Sequence, residues 1–178
     1  MKKFISLIIM SIISCSFLFS CGNVADVGKL KKTLALPIEI TAQVGELCFT
    51  LTKNETASSA LVIEPKTLKD LILNRKNDQF GAEYKGITVP LPAASSRRIF
   101  MLDDILSMTL KSLETGEYAL ETKDSNNVIT TVANDIVSAL TFDDQGNILL
   151  AEITVNGTKT VYVIKQSEEN QKNEGKQN

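Results

Sequence analysis

The sequence predicts an α+β domain that is mainly β, with antiparallel strands packed on one long helix. Three observations carry this expectation. Apolar and polar residues alternate with period 2 along most of residues 38–164, and one segment, 97–113, switches to a helical period. Short clusters of Asn, Asp and Gly separate the strands of the last third at hairpin spacing.

Residues 1–20 read as an export signal. Met1-Lys2-Lys3 supplies a positive start, and residues 4–19 are apolar apart from Ser6, Ser11, Ser14, Cys15 and Ser16. The run is shorter than the roughly 20 residues a spanning helix needs, and serines interrupt it. It closes on Leu18-Phe19-Ser20-Cys21. This closure resembles the bacterial lipobox, in which an aliphatic residue and two small residues precede a cysteine. Leu18, Ser20 and Cys21 fit the pattern, and Phe19 departs from it. The resemblance implies cleavage before Cys21 and lipidation of its thiol. The mature protein would then be exported and lipid-anchored to the outer face of the cytoplasmic membrane or to the outer membrane.

Residues 21–36 form the lipidated N-terminus and tether. Val24, Val27, Leu30 and Leu34 fall at helical spacing, with Lys29, Lys31 and Lys32 between them. A short amphipathic helix and a lysine-bearing tether are equal readings of this segment. Pro37 resets the backbone. Ile38, Ile40, Ala42 and Val44 then alternate with polar residues, as do Leu47, Phe49 and Leu51, with Gly45-Glu46 as a turn or bulge between the two runs. A third strand over 58–64 stops at Pro65, and the three suggest an antiparallel meander. Leu68 and residues 71–73 read as a helical turn or, in preference, a loop leading into a strand, 74–78 as a turn, and Phe80, Ala82 and Tyr84 as one face of the next strand. A short extension over 87–89 follows, and Pro90 and Pro92 exclude a continuing central strand.

The helix over 97–113 takes Ser95 or Ser96 as N-cap, with Gly116 just past its end. Ile99, Leu102, Ile105, Leu106, Leu110 and Leu113 form its apolar stripe, and Met101 and Met108 widen it. Such a wide arc implies deep packing. Leu102, Ile105, Leu106, Met108 and Leu110 are the candidate lining of a ligand cavity, because methionine beside aliphatic residues makes an adaptable apolar wall. Strands follow at 118–122, 128–133, 136–142, 148–155 and 160–164, and Asn156-Gly157 is the strongest hairpin signal. Residues 165–178 hold nothing apolar beyond Lys165 and read as a disordered polar tail.

Meander strands, a proline-flanked crossing, one apolar helix and closing hairpins, all behind a lipobox, resemble the LolA/LolB-like lipoprotein-carrier superfamily. Residues 63–71, IEPKTLKDL, with the following strand up to Gly86, are also similar to small uncharacterised lipoproteins of low-GC bacteria. The likeness covers residues 37–164. It implies a curved antiparallel sheet forming an unclosed half-barrel packed on the helix. The carrier's cavity arginine has no identifiable counterpart, since Arg75 falls in an expected turn and Arg97 and Arg98 at a helix start.

Composition excludes much chemistry. The chain has no histidine, which removes Ser-His and Cys-His nucleophile pairs and paired-histidine zinc sites. Tryptophan is absent and aromatics make up 6%, too few for a stacking platform. The net charge of −2 becomes −4 once Lys2 and Lys3 leave with the signal, which argues against nucleic acid as a partner. With Cys21 lipidated, Cys48 has no intramolecular partner and reads as a small buried hydrophobe. Asp103 and Asp104 are paired carboxylates in sequence, but adjacent helical positions diverge by about 100°, so they read as a solvated strip. Asp143, Asp144 and Asn147 lack the distal glutamate of a calcium loop and read as turn formers. Asn54-Glu55-Thr56 and Asn156-Gly157-Thr158 match the glycosylation sequon by chance. The expectation is a noncatalytic envelope lipoprotein without cofactor or metal. It either holds a lipid or other apolar ligand, or is a filled module that binds another envelope protein.

Overall fold

The computed structural model describes residues 26–133 and 136–165. Cys21 with the signal segment, the Asn134-Asp135 turn and the tail beyond Lys165 lie outside the described residues. A short helix, α1 (Val27–Thr33), precedes six strands: β1 (Ile38–Val44), β2 (Leu47–Lys53), β3 (Ala57–Glu64), β4 (Ile72–Lys76), β5 (Gln79–Tyr84) and β6 (Ile87–Leu91). Helix α2 (Ala93–Thr115) follows, then β7 (Ala119–Lys123), β8 (Asn126–Ala133), β9 (Ile136–Phe142), β10 (Ile148–Val155) and β11 (Thr158–Lys165).

Among the described residues, eleven strands join one antiparallel sheet in the order β6-β5-β4-β3-β2-β1-β11-β10-β9-β8-β7. The first strand, β1, lies at the centre of the sheet, and from it the chain meanders to the β6 edge. It crosses on α2 to the opposite edge at β7 and meanders back until β11 pairs with β1, Ala42 opposite Ile164. The two edges do not pair with each other, so the sheet is not closed into a barrel. Ten strand spacings of about 4.8 Å would put the edges of a flat sheet about 48 Å apart. Helix α2, at about 1.5 Å per residue, is only about 34 Å long. Curvature of the sheet around the helix is what lets one short crossing join both edges.

The alternation seen in the sequence sets the buried face. Ile38, Ile40, Ala42 and Val44 of β1 are buried while Glu39 is exposed. Phe49, Leu51, Ile129, Leu140, Phe142, Ala151 and Tyr162 continue that face and pack with Phe100, Leu102, Ile105 and Leu106 of α2. The Tyr162 hydroxyl donates to the Arg98 carbonyl and ties the helix to the centre of the sheet.

Two sequence expectations shift. Residues 74–76, expected in a turn, belong to β4, which pairs Ser58 with Arg75 on one side and Arg75 with Phe80 on the other. The turn is narrower, formed by Asn77 and Asp78 at φ 47° and 59°, as a two-residue hairpin requires. Helix α2 begins at Ala93 rather than after a serine cap. Pro92 occupies the N-cap position without a side-chain hydrogen bond, two alanines with high helix propensity follow, and Ser96 is buried inside the helix. Its other end is as expected: Gly116 sits at φ 80°, and the N–H groups of Gly116 and Glu117 both donate to the Ser112 carbonyl.

Residues 27–33 take the helical reading and dock. The Asp26 side chain accepts from the Gly28 and Lys29 N–H groups at 2.9 and 3.3 Å, a good N-cap. Leu30 and Leu34 are each 2% exposed and belong to the core. The Thr33 hydroxyl donates to the Gly146 carbonyl at 2.9 Å, and the Lys29 stem lies across Gly146.

Candidate functional site

The site grows from one row of the sheet. Cross-strand register aligns Lys53 with Ser58, Ser58 with Arg75, Arg75 with Phe80 and Phe80 with Leu91. Directly paired residues share a face, so three polar side chains and two apolar ones stand together. Across from them, α2 presents Arg97, Phe100, Asp103 and Asp104, spaced three and four residues apart so that they fall within one broad face of the helix.

Asp103 is 4% exposed. One oxygen, Oδ1, accepts from Lys53 Nζ at 2.5 Å, and Oδ2 accepts from Ser58 Oγ at 2.9 Å and Arg75 Nη1 at 3.4 Å. Arg75 Nη1 also donates to Asp104 Oδ1 at 2.5 Å, and Nη2 reaches Asp78 at 3.5 Å. Its guanidinium lies 5.6 Å from the centre of the Phe80 ring. Partial burial works against the Arg75 charge, but the hydrogen bond and charge of Asp104, then Asp103 and Asp78, outweigh it and hold its pKa above the ordinary value. The expectation that Asp103 and Asp104 form a solvated strip is therefore corrected. Their directions do diverge, as helix geometry demands, but Arg75 is long enough to span both, and the inward-facing row of the sheet brings it and Lys53 to them. Arg75 is likewise not a turn residue: it stands on the inner face of β4.

Two clefts flank this cluster. One, of about 180 Å³, is polar and lined by the 53–58 turn, Arg75, Asn77, Asp78, Asp103, Asp104 and Ser107. The other, of about 320 Å³, lies between β4–β5 and the first two turns of α2. Phe80, Phe100, Ala93 and Ala94 supply its apolar lining, and Arg75, Arg97 and Asp104 its charges. Phe80 and Phe100 meet at a centroid distance of 5.6 Å and a tilt of 57°. A third hollow, near Leu36 and Pro37, borders Asn54, Glu55 and Thr56.

Of the residues named from the sequence, Leu102, Ile105 and Leu106 are buried in the core, while Met108 and Leu110 are half-buried on the same helix. Leu110 packs against that core whereas Met108 does not, and none of the five residues lines the clefts described above. Cys48 is buried and free. Asp143 folds its own loop, accepting from the Asn147 backbone N–H at 2.7 Å and side-chain amide at 2.8 Å. Among the described residues no group of three or more His, Cys, Asp or Glu is placed to hold a metal ion. The signal that would have found Arg75 is its phase: Leu73 points inward, so two residues on Arg75 does too.

No family model and no curated protein matches the chain. Among solved structures it is similar to a LolA superfamily protein from Nitrosomonas europaea, at 8% identity over 79% of this chain and 90% of that one, with a TM-score of 0.32. It is also similar to the Mycobacterium tuberculosis lipoprotein LppX, at 10% identity over 81% and 95% of the two chains, with a TM-score of 0.38. At these scores the likeness is a weak one of general sheet-and-helix arrangement.

Proposed function

We propose that the protein is a noncatalytic envelope lipoprotein that is anchored through Cys21 and holds an apolar or amphiphilic ligand against α2. The observation that carries this reading is the cleft of about 320 Å³ walled by Phe80, Phe100, Ala93 and Ala94. Its size reaches the lower end of the roughly 300–1,000 Å³ range of small-molecule sites, and a mostly apolar wall with a few charges is the usual composition of such sites. The carboxylate of Asp103, held by three donors, suits a structural counter-charge better than proton transfer. No helix among the described residues is long and apolar enough to cross a membrane. The proposal assigns attachment to acyl chains on Cys21, at about 0.8 kcal/mol per buried CH₂, with more than one chain for lasting anchorage.

A second reading, a protein-interaction module, is favoured by one observation: the space under the middle of α2 is filled, with Leu102 and Ile105 fully buried. Solvent extraction of the purified protein followed by mass spectrometry separates the two. The ligand reading expects a co-purifying amphiphile that is depleted in Ala94→Trp, where the indole takes up part of the cleft. Extracts without amphiphile, together with no binding of an apolar fluorescent probe, would leave the module.

A further inference from the structure

The lining charges of the apolar cleft do not cancel. Arg75 is already engaged by Asp104 at 2.5 Å and by Asp103 at 3.4 Å, and Lys53 by Asp103. Within this cluster Lys53 and Arg75 face Asp103 and Asp104, and a third carboxylate, the exposed Asp78 at 3.5 Å from Arg75, lies outside the lining of the apolar cleft. Arg97 is the cation left over: it lines the cleft and makes no ion pair among the described residues. The same wall is formed by the start of α2, whose first turn has no acidic residue and whose N-cap, Pro92, offers no side-chain hydrogen bond. The positive end of the helix dipole therefore adds to the Arg97 charge. Apart from Arg75, Arg97 and Asp104 the lining is aromatic and alanine, which offers a sugar or a peptide backbone little to hydrogen-bond. At about 320 Å³ the space is small for a ligand with two full acyl chains.

We infer that the cleft takes a single-chain amphiphile with an anionic oxygen head group, its chain against Phe80 and Phe100 and its carboxylate or phosphate on Arg97. This deepens the ligand reading above and rests on it. Arg97 is the specificity residue, because it is the charge that a neutral amphiphile would leave without a partner. Arg75 is a wall residue that stacks on Phe80 and stays with Asp104.

The test uses membranes carrying the full chain and three photoreactive probes that share one C12 diazirine chain and differ in the head: carboxylate, phosphate or alcohol. Cross-links are mapped by peptide mass spectrometry. Labelling of peptides that contain Phe80 or residues 93–100 by either anionic probe is expected to exceed that by the alcohol about fivefold, the upper range for a solvent-accessible ion pair. The anionic probe that labels more strongly names the head group. Arg97→Gln should bring anionic labelling down to the alcohol level, and Arg97→Lys should restore most of it. Arg97 is exposed, so an unchanged unfolding midpoint verifies that these variants fold. Equal cleft labelling by all three probes, insensitive to Arg97→Gln, would overturn the head-group inference and leave the ligand reading standing. Absence of cleft labelling by every probe would overturn both.

Discussion

Replacing Asp103 by leucine tests whether charge, rather than shape, organises the underside of α2. The carboxylate is 4% exposed and accepts from Lys53, Ser58 and Arg75. Asp103→Leu leaves the Lys53 ammonium, on a side chain only 14% exposed, without its counter-charge and the buried Ser58 hydroxyl without its acceptor. Removing one partner of a buried pair costs about 3–5 kcal/mol. Lys53 ends β2 beside the polar cleft, so its flexible stem can carry the ammonium towards water, which reduces the expected loss to about 2–3 kcal/mol. At about 3 °C per kcal/mol for a domain of this size, the melting temperature should fall by about 6–9 °C. The double variant Lys53→Met/Asp103→Leu removes both charges and should return to within about 1 kcal/mol of the parent, because apolar replacement of a buried pair is often neutral. Arg75 keeps Asp104 throughout. Urea unfolding followed by circular dichroism measures all three proteins. A single-variant loss under about 0.5 kcal/mol would show that the carboxylate is idle. A double variant no more stable than Asp103→Leu would place the cost in shape and refute the charge argument.

Burial, assisted by Asp104 and opposed by Arg98, pushes the Tyr162 phenol above its ordinary pKa. The folded state then favours the neutral phenol, so its stabilising contribution is complete below about pH 10 and is lost as pH rises past that value. Tyr162→Phe should lose about 1 kcal/mol at pH 7 with the hydrogen bond to Arg98, yet decline less steeply above pH 10; parallel declines in urea titrations would contradict this. Leu30→Ala should cost about 3 kcal/mol because the side chain is 2% exposed within the core, and a loss under about 1 kcal/mol would mean that α1 only rests on the surface. Cys21→Ser should leave the precursor uncut or release the protein from the membrane fraction. Normal processing together with normal membrane retention would count against lipid anchoring at this residue.

Much of the architecture was legible because strand and helix periods report burial directly. The β1–β3 and β8–β11 alternations, the helical period around Leu102 and Ile105, and Gly116 as the helix end all reappear in the structure. Besides the helix start, the failures share one cause. Asn74-Arg75-Lys76 looks like a turn because its residues are polar, and Asp103-Asp104 looks solvated because carboxylates usually are. Each reading assumed water as the partner, whereas the actual partner lies 28 residues away in the chain for Arg75 and Asp103, and 50 for Lys53 and Asp103. Local pattern carries no information about such pairs.

Sequence by itself therefore determined most of the strands, though not β4, the segment that becomes the long helix, and the apolar face of each, since these follow from side-chain periodicity within a few residues. Only the tertiary structure decided that the sheet curls until β4 and α2 meet, that Arg75 and Lys53 neutralise Asp103 inside the protein, and that Arg97 is left over beside an aromatic wall. The physical reason is that charge compensation and cleft shape depend on which distant strands become neighbours, and that is set by register and by the length of the crossing helix.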